Sequence, residues 1–142
     1  MVLEKVTMMK IDHIELFVPD RYKAAEWYRQ VLKFQIIEEF TGWADEGGPL
    51  MISNDGGNTK IALFEGVPQG KDDVKGFIRL AFRVDAVEFI EFINSSGKWR
   101  NTPLTKKEIK DHHKAISVYF SDPYGNHLEI TTYDYDAAKK FL

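Results

Sequence analysis

Apolar and polar side chains alternate in two stretches of the chain that read alike. His13-Ile14-Glu15-Leu16-Phe17-Val18 runs into Pro19-Asp20, and Arg79-Leu80-Ala81-Phe82-Arg83-Val84 runs into Asp85. A period of two is that of a half-buried strand. After each Asp the spacing turns helical: Ala24, Trp27 and Tyr28 follow Asp20 at offsets of four, seven and eight, and Phe89, Phe92 and Ile93 follow Asp85 at the same offsets. Each Asp is a predicted helix N-cap, and Glu88, three residues after Asp85, completes the pattern of a capping box. Each half then closes with a Gly-Asn turn (Gly57-Asn58, Gly125-Asn126) and another alternating strand, 60–64 and 127–133. Between these landmarks the pattern predicts a strand over 34–40, a loop over 42–49, and a short strand over 50–53. The Gly-rich, Pro-containing stretch 66–76 reads as a linker. In the second half Gly97 is a predicted helix stop, 98–114 is irregular, and 116–120 is a strand. A tight turn follows at Asp122-Pro123-Tyr124-Gly125-Asn126, and the pattern leaves 134–142 open between a short docking helix and a frayed tail.

An order repeated in this way predicts an α+β fold of two tandem βαβββ modules. Module one covers about 11–65, the linker about 66–76, module two about 77–133 and the tail 134–142, within a single domain over 1–142. The expected architecture is a curved mixed sheet around a central groove.

Side chains alternate across a strand, so parity assigns faces. The apolar set is Ile14, Leu16 and Val18; Ile61 and Leu63; Leu80, Phe82 and Val84; Leu128 and Ile130. The opposite set is His13, Glu15 and Phe17; Lys60, Ala62 and Phe64; Arg79, Ala81 and Arg83; His127, Glu129 and Thr131. Phe17, Phe64 and Ala81 are poor choices for open solvent, and apolar walls with a few convergent charges describe a small-molecule site.

Composition narrows the field. With 142 residues, 44% hydrophobic and 29% charged, the chain suits one compact unit and not a disordered one. Nineteen basic residues are scattered among 22 acidic ones for a net charge of −3, which argues against a nucleic-acid partner. The chain has no Cys, so disulfides and thiolate metal ligands are excluded. No apolar run approaches the ~18 residues of a membrane span, and residues 1–10 lack the pattern of a secretory signal. The expectation is a cytoplasmic protein with no membrane partner. No nucleophile triad, phosphate-cradling Gly loop or dinucleotide fingerprint appears.

Four blocks carry a resemblance to a known family: 12–18 (DHIELFV), 27–34 (WYRQVLKF), 80–85 (LAFRVD) and 122–129 (DPYGNHLE). Over nearly its whole length the chain resembles the vicinal oxygen chelate superfamily, which includes glyoxalase I, fosfomycin-resistance enzymes, methylmalonyl-CoA epimerase, extradiol dioxygenases and bleomycin-resistance binding proteins. Lys33 stands where that family usually has Gly. The resemblance implies a homodimer and, in metal-dependent members, ligands on the first and last strands of each module. Carried over, His13 matches the first ligand and Glu129 the last. Arg79 stands where a His is usual, and Ala62 where the glyoxalase branch has a Glu. Glu65 has the wrong parity to replace it.

Two functional expectations follow from that resemblance. One is a small-molecule binder in which Arg79 orients a small, anionic or aromatic ligand, with His13, Phe17, Phe64, His127 and Glu129 around it. Arg cannot deprotonate in proteins, so it cannot coordinate, and its charge repels a divalent ion. The other is a metal-dependent lyase, isomerase or dioxygenase holding Zn, Ni, Mn or Fe with His13 and Glu129, His127 substituting for the third ligand and Glu129 moving a proton. A divalent ion and no cofactor both stay open. Arg79 could instead pair with Glu129. His112 and His113 lie in a Lys-rich stretch and read as solvated, or as a pocket rim. Tyr28 reads as packing. Trp43 and Trp99 read as core, dimer contact or ligand flank.

Overall fold

The structure is a computed structural model that describes residues 11–66 and 79–142. The expected linker lies almost wholly outside the described residues, as does the stretch 1–10. Contacts divide the chain into two compact units, 1–69 and 70–142. Among the described residues no helix is long and apolar enough to cross a membrane.

Unit one holds β1 (His13–Val18), α1 (Arg21–Leu32), β2 (Gln35–Ile36), α2 (Thr41–Asp45), β3 (Leu50–Ser53) and β4 (Lys60–Glu65). Its sheet runs β1-β4-β3-β2, with β1 parallel to β4 and the other pairs antiparallel. Unit two holds β5 (Leu80–Arg83), α3 (Ala86–Asn94), β6 (Ile109–Asp111), β7 (Ile116–Ser121), β8 (His127–Thr132) and α4 (Tyr135–Lys139). Its sheet runs β5-β8-β7-β6 with the same pairing senses. Each unit is thus a βαβββ module, and the two sheets repeat one topology.

The caps behave as the sequence predicts. Asp20 accepts from the N–H groups of Tyr22 and Lys23, both at 3.0 Å, and Asp85 accepts from that of Glu88 at 2.9 Å. The core follows the alternation: Leu16, Val18, Ile61, Leu63, Leu128 and Ile130 are all buried. Tyr28 is fully buried, its ring edge-on to Phe34 at 6.3 Å, which is the packing role expected of it.

Lys33 closes α1 in the left-handed region, at φ 62° and ψ 25°. A side chain there crowds its own backbone, which is why Gly is usual at this place. Lys33→Gly is expected to relieve that strain at some cost in unfolded-state entropy, raising stability by about 0.5–1 kcal/mol. A urea melt checks it, with the midpoint rising at constant slope.

Two expectations are corrected. The strand over 34–40 is only Gln35–Ile36, extended by one bond from Ile37 N–H to Met51 O at 2.9 Å. A 3-10 turn (Glu38–Phe40) and α2 follow where a strand end and loop were expected. Ile37, Phe40 and Ala44 sit at helical spacing, and Arg21 donates to the carbonyls of Ala44 and Gly48, fixing the segment against α1. Secondly, α3 ends at Asn94, before Gly97. Ser95 and Ser96 turn their hydroxyls back onto the carbonyls of Phe92 and Ile93, at 3.2 and 2.6 Å, competing with further helix. The segment 98–114, irregular in its sequence pattern, supplies the remaining strand of the expected βαβββ module, β6, which pairs with β7. The tail resolves to a docked helix: Ala138 is fully buried, and Asp111 on β6 accepts from Tyr135 at 2.7 Å and Lys139 at 2.5 Å.

Candidate functional site

On the first sheet His13, Glu15 and Phe17 share a face with Lys60, Ala62 and Phe64, paired in register. Phe17 and Phe64 touch, ring centroids 5.9 Å apart and tilted by 41°. Ala62 is buried and pairs with buried Met51, so the middle of this row is apolar. Glu65 pairs with Val18, off the row that holds Ala62, as parity requires.

His13 is held from both sides. Its Nδ1 lies 2.9 Å from an Asp12 carboxylate oxygen and its Nε2 3.0 Å from one of Glu15, while Lys60 Nζ reaches Asp12 at 2.9 Å. The hydrogen bonds from Asp12 and then Glu15 raise the His13 pKa above its usual 6.5, against a smaller opposing effect of burial. A raised folded-state value means that the stabilising contribution is complete below pH 6.5 and is lost as pH climbs through the folded pKa. Ring-proton NMR should give His13 a midpoint above 6.5, returning toward it in Asp12→Asn. An unmoved midpoint in that variant would show that the Asp12 bond is not made in solution.

On the second sheet Ala81 and Arg83 of β5 stand beside Glu129 and Thr131 of β8, which stand beside Tyr119 and Ser117 of β7. One residue before the paired Leu80 and Leu128 come Arg79 and His127. The guanidinium carbon of Arg79 lies 4.7 Å from the centroid of the Tyr119 ring, a cation–π stack. Tyr119 in turn has its hydroxyl 2.9 Å from His112 Nε2. His127 meets Ser121 at 3.2 Å, and Ser117 bonds Thr131 at 2.9 Å. Among the described residues neither Arg79 nor Glu129 forms an ion pair, so the alternative in which Arg79 neutralises Glu129 is not the arrangement found.

The register that makes Glu129 face Tyr119 is set by the preceding turn. Asp122, 5% exposed, accepts from the N–H groups of Tyr124 and Asn126, each at 2.9 Å, and from the Asn126 amide at 2.7 Å. Gly125 sits at φ 92°, where a side chain is strained.

Sequence reasoning missed Tyr119; His112, read as solvated or as a pocket rim, is exposed and meets the Tyr119 hydroxyl. The signal was present: Tyr119 lies between Val118 and Phe120, two core residues, so its parity already pointed it to the face of Glu129. The tryptophans differ. Trp99, half-buried, packs with Phe92 and Phe120, at 5.3 and 5.6 Å, at the edge of the core. Trp43 is half-exposed and stacks flat on Phe40 at 4.5 Å.

The donor chemistry bears on a divalent ion. A ligating imidazole must offer a neutral lone pair, whereas both nitrogens of His13 are engaged by carboxylates on opposite edges of the ring, an arrangement that favours the imidazolium. Within either unit, among the described residues, no three His, Asp or Glu side chains gather as a group that could hold a metal ion. In each unit, therefore, the residues present do not fit an ion held by three protein ligands.

Two repeated βαβββ modules, each with polar groups set among apolar ones on one sheet face, define a class of fold used for small-molecule sites. The sequence profile of the Glyoxalase/Bleomycin resistance protein/Dioxygenase superfamily matches residues 10–130, and the chain belongs to that superfamily. It is similar to the metallothiol transferase FosB of Staphylococcus saprophyticus, 24% identical over 126 residues that cover 88% of this chain and 78% of the relative. Among solved structures it resembles a glyoxalase/dioxygenase from Nostoc punctiforme, with a TM-score of 0.64 at 22% identity, covering 93% of this chain and 96% of the other. It also resembles the fosfomycin resistance protein FosX of Listeria monocytogenes, with a TM-score of 0.63 at 16% identity, covering 93% and 99%. At such identities the structural likeness shows the fold alone.

Proposed function

We propose that this chain is a small-molecule-binding member of its superfamily in which Arg79, and not a divalent ion, supplies the positive charge that orients a small anionic ligand. The observation that carries this reading is the Arg79 guanidinium, stacked on Tyr119 at 4.7 Å and without a carboxylate partner among the described residues. A planar fork held by a ring presents its N–H donors in a fixed direction, which suits two oxygens of a carboxylate, phosphate or phosphonate. Glu129 and His127 flank it as acceptor and donor for the neutral part of the ligand.

Phenyl phosphate, which joins an oxyanion to a ring, tests the reading on chelator-treated protein. It is expected to bind and to shift the Arg79 Nε–H signal in nitrogen-15 NMR. Arg79→Gln should weaken binding by roughly ten- to a hundredfold, the equivalent of losing one charged hydrogen-bonded contact of about 1.5–3 kcal/mol. Binding that needs added zinc or manganese, or that ignores Arg79→Gln, would refute it.

A further inference from the structure

The hairpin that carries His112 is built by its own backbone. Its two strands pair from Ile109 with Val118 to Asp111 with Ile116, and His112 N–H donates to Ala115 O at 2.8 Å to close the turn. His113 takes a left-handed conformation there, at φ 70°, with its N–H on the Asp111 carboxylate at 2.8 Å. The turn leaves the His112 ring edge-on to Tyr119, with centroids 6.4 Å apart at 81° and Nε2 against the phenol oxygen. Three groups from three strands or their ends thus form one line: Arg79 on the ring face, Tyr119 in the middle, His112 on the hydroxyl.

We propose that His112 is a positioning residue for the anion site, fixing the Arg79 guanidinium by holding the ring on which it rests. The significance of this array for ligand binding rests on the function proposed above; the array itself does not. A phenol hydroxyl left to water lets the ring and its cation drift, whereas a bond to an imidazole fixed in a hairpin turn fixes both. The polarity of that bond matters. An imidazole nitrogen that accepts the phenol's hydrogen bond leaves the ring electron-rich, which favours a cation over its face.

The groups that face His112 agree with this assignment. Tyr119 and, over its ring, Arg79 come from neighbouring strands, and Glu129 stands opposite Tyr119 on β8. Asp111, its neighbour in the chain, is engaged by Lys139 and Tyr135, which hold its carboxyl well below the usual range, so its charge is already compensated. Lys114 and Lys110 on the same hairpin add positive charge.

The order of the Arg79 Nε–H bond, read by heteronuclear NOE in the ligand-free protein, tests the inference. It is expected to fall by roughly half in His112→Leu and equally in Tyr119→Phe, with no further fall in the double variant. His112→Gln, which keeps an acceptor for the phenol, should restore the order. An Arg79 signal unchanged in His112→Leu or Tyr119→Phe would overturn it. Failure of phenyl phosphate to shift the Arg79 signal, with these dependences intact, would overturn the function proposed above and leave the positioning role standing.

Discussion

Arg79→His is expected to bind a divalent metal more tightly than wild type. The substitution removes the fixed cation and places an imidazole beside His127, on the face that also carries Glu129. Three nitrogen and oxygen donors on adjacent strands are what a transition-metal ion needs from a protein. An ion present at ~100 times its dissociation constant adds about 2.7 kcal/mol, or roughly 8 °C in a chain of this size. A melting panel with zinc, nickel, manganese and iron should show that rise in Arg79→His and none in wild type. Equal shifts in both proteins would mean that the guanidinium was never the obstacle.

Asp122→Ala is expected to give the largest loss of stability, about 3 kcal/mol. Its buried carboxylate holds two backbone N–H groups and one side-chain amide, so truncation strips the turn of three charge-assisted bonds at once. Asp122→Asn keeps an acceptor oxygen and should lose only about 1 kcal/mol. Urea melts of the two variants check the order. The loss also reaches function, because this turn sets His127 opposite Ser121 and Glu129 opposite Tyr119. A destabilised turn should weaken phenyl phosphate binding although Asp122 is not among the groups proposed to touch it.

Most of the fold was legible because it depends on local signals. Asp20 and Asp85 announce their helices by chemistry that acts within three residues, and strict alternation from His13 to Val18 fixes which side of β1 is core. The first misread segment is one where a side chain from elsewhere decides. Residues 37–49 carry strand-like and helix-like spacing together, and Arg21 on α1 secures the helical choice through Ala44 and Gly48. At the end of α3 the serine hydroxyls outbid the distant glycine.

The candidate site divides in the same way. That His13, Phe17 and Phe64 share one face, and Glu129 another with His127, follows from a period of two. What the sequence hides is the partner of each group. Arg79 reaches across β8 to Tyr119 on β7, and its obvious mate by charge, Glu129, forms no ion pair among the described residues. His13, given as a metal ligand by resemblance, has its ring nitrogens on the carboxylates of its neighbours Asp12 and Glu15. Pairings of that kind depend on side-chain direction, which alternation does not encode.

The central claim is that a guanidinium has taken the place of a metal ion. Its most direct test is the metal content of wild-type protein purified without chelator or affinity tag. The account expects far less than one ion per chain for every transition metal assayed. Near-stoichiometric metal, retained by wild type and lost in His13→Ala, would contradict it.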